Sequence, residues 1–167
     1  MSSRFFQGIR DQHGDAYEVT SQTELTDFAG IFGVYTGIET EHLMLVLKRM
    51  LEQIKLVREN GLSAEELDKA KLQYMKDLLL DEDNNDDKAM EMGTDELYHH
   101  RLIKLEETFN SIISVTNEDI IRFAKEYFDP KYFNFLIIGP KDELPSRSLI
   151  LDTIKNPDRF PEFPLAT

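Results

Sequence analysis

Cysteine is absent from this 167-residue sequence. That excludes a disulfide scaffold, a thiolate zinc site and a cysteine nucleophile, and it fits a reducing compartment. Proline is missing from the first 129 residues; all six lie at or beyond Pro130. Cations are scarce, 19 Lys and Arg against 32 Asp and Glu, for a net charge of −13. A balance of that sign argues against binding a phosphate backbone or an anionic membrane, so no nucleic-acid or membrane partner is expected. No apolar run approaches the roughly 18 residues of a membrane span, and the opening Met-Ser-Ser-Arg-Phe-Phe has no signal-peptide apolar region. What is present is an ordinary globular mixture, 41% apolar and 31% charged. Its length suits one domain that needs neither disulfide nor metal to hold a core.

Hydrophobic spacing lays out the elements. Phe5, Phe6 and Ile9 share a face of a short helix over 3–11, broken by Gly14. Tyr17, Val19, Ser21 and Thr23 alternate as in a strand over 16–23. Residues 28–37 form a second strand, and the two are expected to make a hairpin; Gly30, Gly33 and Gly37 suggest close backbone approach there. The period then changes. Thr40 is expected to cap a helix with the stripe Leu43, Val46, Leu47, Met50, Leu51, Ile54 and Val57, ended by Asn60-Gly61. Ser63-Ala-Glu-Glu66 is a capping box with Leu62 and Leu67 placed as its staple. The helix it starts runs to about Leu80 and is expected to bury Leu67, Ala70, Tyr74, Met75 and Leu78. A polar break over 81–87 precedes a helix over 86–101, followed by a short helix over 106–113. Thr116-Asn-Glu-Asp119 caps one more, stopped by Asp129-Pro130. The continuous apolar run 132–138 reads as a central strand. The proline-bearing tail over 140–167 reads as an extended wrap or loose end. The fold class is α+β: a small, mainly antiparallel sheet, a hairpin plus a late central strand, packed against several helices.

Most chemical candidates fail on spacing. His13, His42, His99 and His100 contain no H-E-x-x-H or H-x-x-E-H. His99 and His100 are neighbours, so on a helix they point about 100° apart and read as exposed helix residues. Asp81, Asp83, Asn85 and Asp87 alternate like a calcium loop, but Asp86 stands where an EF-hand needs Gly and Met92 where it needs Glu. The eight glycines make no phosphate loop, and no serine sits in G-x-S-x-G. Arg10 and Tyr17 remain, one at a helix end and the other at the following strand start. A guanidinium and a phenol suit peptide carbonyls or an oxyanion, although an Arg and a Tyr around a turn are more often a surface pair.

The stretch from Ser2 to Tyr17, S-S-R-F-F-Q-G-I-R-D-Q-H-G-D-A-Y, resembles the S-R-L-F-Q-x-I-R-E-x-x-G-L-A-Y pattern of the M16 metallopeptidases. The resemblance continues through Gly30–Gly37, Leu62–Lys71, Thr116–Asp119 and Phe135–Pro140, in order, over about residues 2–140. It implies a half-domain of the LuxS/MPP-like metallohydrolase fold, over 1–140, with 141–167 as a proline-rich tail. M16 enzymes face two related halves across a closed chamber. One carries H-x-x-E-H and a distal Glu; the other contributes an Arg and a Tyr in R-x6-Y spacing that reach toward the zinc. Arg10 and Tyr17 match that spacing. The resemblance therefore implies substrate-binding roles for Arg10 and Tyr17, no catalytic residue or cofactor in this chain, and zinc in a partner domain or subunit. Asp15 departs from the family's Leu. The family's strand and helix before this motif, and its whole catalytic half, do not precede Met1, so the chain is expected to be a fragment, a split gene product or a truncated reading of a longer protein.

Two functions follow from the resemblance. In the first, the chain is the non-catalytic half of an M16 zinc metalloendopeptidase. It would form a chamber wall, position peptide substrate for an H-x-x-E-H partner, and be inactive alone. The alternative is a structural, scaffold-type M16 subunit of a larger complex. A cytoplasmic location is expected, with the mitochondrial matrix as the alternative, and the isolated chain is expected to form a homodimer.

Overall fold

The computed structural model describes residues 4–5, 16–26, 28–81 and 84–156. The chain is α+β. Strand β1 (Glu18–Leu25) pairs antiparallel with β2 (Gly30–Gly37), in register from Glu18 opposite Gly37 to Leu25 opposite Gly30. Thr26 closes the turn: its N–H donates to the Ala29 carbonyl at 2.8 Å, and its hydroxyl oxygen accepts from the Ala29 N–H at 3.1 Å. Among the described residues six helices follow: α1 (Leu43–Asn60), α2 (Ala64–Asp81), α3 (Asn85–His99), α4 (Leu105–Ser114), α5 (Asn117–Tyr127) and α6 (Arg147–Lys155). Of the proposed first helix, Arg4 and Phe5 are helical and the remainder lies outside the described residues.

The chain divides into two compact units, residues 1–59 with 124–167, and residues 60–123. In the first, the buried stripe of α1 organises two apolar clusters. Val46 packs with Ala16, joined by Phe5, Val19, Ile38 and Met50; Leu47 and Leu51 pack with Ile154 of α6, joined by Phe133 and Ile150. The second cluster corrects the reading of the tail as extended. Ser146 caps α6 by accepting from the Leu149 N–H at 3.3 Å, which lets Ile154 reach the core. Phe32 and Phe128 stack at 5.1 Å between ring centroids.

The second unit rests on local signals. Ser63 and Glu66 complete the capping box reciprocally, at 2.8 and 3.2 Å. Gly61 has φ +68°, a left-handed conformation natural to glycine. Asn117 braces that turn, accepting from the Leu62 N–H at 2.8 Å. Asn84 caps α3, and Lys71 of α2 donates to the Ile113 carbonyl of α4 at 2.8 Å. Thr116 and Asp119 form a second box, in which the Asp119 carboxylate accepts from both the Thr116 N–H and its hydroxyl.

Those bonds hold the Asp119 carboxyl below its ordinary pKa, the Thr116 hydroxyl contributing most. A depressed carboxyl stabilises the fold above its unfolded pKa and loses that contribution as pH falls through the folded value. Asp119→Asn is therefore expected to flatten the acid limb of stability against pH while leaving the neutral-to-alkaline slope unchanged. Thermal unfolding across the acid range checks this, and an unaltered acid limb would contradict it.

Four further expectations are corrected. Residues 133–138 belong to no sheet among the described residues, where β1 and β2 pair only with each other. A strand needs a neighbour for its N–H and C=O groups, and apolar composition does not supply one. Leu67, Ala70, Tyr74, Met75 and Leu78 of α2 are not buried, because residues 60–123 bury no apolar side chain among those described. Thr40 opens a 3₁₀ turn over Thr40–His42 rather than capping α1. Gly33 and Gly37 have open space where a Cβ would stand, so of the three strand glycines only Gly30 meets a close neighbour, Leu25.

Candidate substrate-binding site

Tyr17 stands where the chain enters the hairpin. Its predecessor Ala16 is buried against Val46, and its own N–H donates to the Gly37 carbonyl at 2.9 Å. The backbone is thus pinned on two sides while the side chain stays 69% exposed. The phenol donates to Glu39 Oε1 at 2.7 Å. Glu39 lies in extended backbone just before the 3₁₀ turn. The Glu39 carboxylate holds the Tyr17 proton and raises the phenol above its ordinary pKa, mainly through that hydrogen bond and then through its charge. Arg10, the other half of the expected pair, lies outside the described residues.

Glu39 was not singled out from the sequence. The signal was available: continuing the hairpin register two residues outward brings Ala16 opposite Glu39, beside Tyr17.

The remaining candidates have structural duties. His99 ends α3, and His100 follows in left-handed conformation at φ 52°. His42 lies 3.7 Å from Glu41 at the 3₁₀ turn. Within the acidic run, Asn84 accepts from the Asp86 N–H as a helix cap, and Asp83 lies outside the described residues. Among the described residues no group of three or more His, Asp or Glu could hold a metal ion, so these residues do not fit a zinc site.

Residues 1–74 match the family described as Peptidase M16 inactive domain. Over those residues the chain is similar to the M16 peptidases. The similarity is to that family's inactive domain. Among curated relatives, an uncharacterized zinc protease of Streptomyces coelicolor is 31% identical over 88% of this chain and 32% of its own length. One of Rickettsia felis is 32% identical over 85% of this chain and 34% of its own. The uncharacterized zinc protease YmxG of Bacillus subtilis is 27% identical over 87% and 36%. The chain thus spans about a third of the length of these curated relatives.

Proposed function

We propose that this chain acts as the non-catalytic half of an M16 zinc metalloendopeptidase. It forms one wall of a peptide chamber, and Arg10 and Tyr17 hold peptide for a partner domain or chain that carries H-x-x-E-H and the zinc. The match of residues 1–74 to the inactive domain carries this reading. The names of the relatives as zinc proteases support it. So does Tyr17, an exposed phenol on a pinned backbone, which suits a binding residue. Among the described residues no helix is long and apolar enough to cross a membrane. A cytoplasmic location is proposed, with the mitochondrial matrix as the alternative.

Reconstitution tests the proposal. The chain alone is expected to cleave no peptide. With a cognate H-x-x-E-H partner, identified by pull-down, cleavage is expected, and Arg10→Ala or Tyr17→Phe should each lower kcat/KM by about two- to tenfold, the effect of one lost hydrogen bond of about 0.5–1.5 kcal/mol. Unchanged rates in both variants would refute the site assignment.

Alone, the chain is proposed to pair with a second copy. Phe28, Leu136 and Ile138 are 97%, 86% and 89% exposed, and the N–H and C=O groups of residues 133–138, which join no sheet among the described residues, invite another strand. Sedimentation equilibrium at micromolar concentration should give about twice 19.4 kDa; a clean monomer mass would refute pairing.

A further inference from the structure

We propose that Glu39 is a positioning residue for Tyr17 and that the two together select a cationic side chain, lysine or arginine, on the bound peptide. This rests on the reading of Tyr17 as a substrate-binding residue.

A tyrosine hydroxyl has one proton to give and two lone pairs to receive with. Here the proton is committed to Glu39 at 2.7 Å. Hydrogen bonds to an ionised acceptor are roughly twice as strong as neutral ones, so turning the hydroxyl toward a neutral peptide carbonyl would exchange the stronger bond for a weaker one. The arrangement that keeps the Glu39 bond offers the incoming ligand an acceptor instead. Tyr17 and Glu39 are both exposed, and the phenol oxygen and the Glu39 carboxylate can each accept from an ammonium or guanidinium. Glu39 has no ion-pair partner among the described residues, whereas its neighbour Glu41 faces His42 at 3.7 Å. Glu18, also exposed at this end of the hairpin, adds negative charge. The Tyr17 backbone cannot withdraw, because its N–H is bonded to Gly37.

The test uses the full chain and two blocked peptides identical except for one lysine replaced by norleucine. Glu39→Gln is expected to weaken the lysine peptide about two- to fivefold, the range an exposed ion pair supports, and to leave the norleucine peptide unchanged. Tyr17→Phe should weaken both, because the phenol oxygen can also accept from a backbone N–H of either peptide. In parallel, carbon NMR of labelled tyrosine should show Tyr17 titrating above an ordinary phenol in the native chain and at the ordinary value in Glu39→Gln. If Glu39→Gln leaves the lysine-to-norleucine ratio or the Tyr17 titration unchanged while Tyr17→Phe still weakens both peptides, Glu39 has no such role and the reading of Tyr17 stands. If Tyr17→Phe changes neither peptide, both readings fall.

Discussion

Leu51→Ala is expected to destabilise the protein by about 2–5 kcal/mol, the cost of deleting buried methyl groups and leaving a cavity. Leu51 is 5% exposed, in one cluster with Leu47 and Ile154. The penalty belongs at the upper part of that range only if its neighbours cannot collapse. Phe133 and Ile150 are partly buried rims of the same cluster, and each is tied to an ordered element, so collapse is restricted. Against a total of about 5–15 kcal/mol for an ordinary domain, the loss is large. Leu72→Ala, at a position 68% exposed, should change stability by less than about 0.5 kcal/mol. Ile154→Ala is the informative companion. It opens the same cavity from the α6 side, so the double variant should lose less than the sum of the two singles. Urea denaturation of the four proteins checks this. Strict additivity would mean that α6 does not pack on α1 in solution.

Gly61→Ala is expected to cost about 2–4 kcal/mol. Two effects combine. An alanine held at φ +68° pays about 1–2 kcal/mol for the left-handed conformation. Its Cβ would also fall on the carboxamide of Asn117. That carboxamide cannot swing aside without cost, since it accepts from the Leu62 N–H at 2.8 Å and donates to the Asn60 carbonyl at 3.5 Å. Losing such bonds adds about 0.5–1.5 kcal/mol each. Asn117→Ala separates the two effects. By itself it removes the brace, and combined with Gly61→Ala it removes the collision, so the pair should be less destabilised than the singles sum to. If Gly61→Ala unfolds at the native midpoint, the left-handed turn does not persist in solution.

Residues that act on their own immediate neighbours were legible in the sequence. Ser63 and Glu66, Thr116 and Asp119, and Asn60-Gly61 do their work within four residues, so their pattern names their structure. The stripe of α1 was legible because helical periodicity carries its direction: Leu43, Val46, Leu47 and Leu51 are buried as the spacing predicts. The hairpin was legible from alternation and length, and the M16 resemblance from the run Ser2 to Tyr17.

What only the tertiary structure decided involves partners distant in sequence. The run 132–138 has the composition of a central strand, but pairing belongs to two segments at once, and the only ladder among the described residues joins β1 to β2. The stripe of α2 predicts a buried face, yet burial needs an opposing surface, and among the described residues of 60–123 that surface leaves Leu67 only half-buried and Tyr74 exposed. The proline-rich tail conceals a helix because its prolines flank 147–155 without entering it, and only the pocket formed by Leu47 and Leu51 shows why Ile154 belongs inside. Tyr17 was named from its spacing to Arg10. Its bond to Glu39, 22 residues away, came from the hairpin folding the chain back on itself, and that contact sets which way the phenol proton points. Sequence determines what each residue can offer over a few neighbours; the fold decides which offers are accepted, because contact energies act across space and not along the chain.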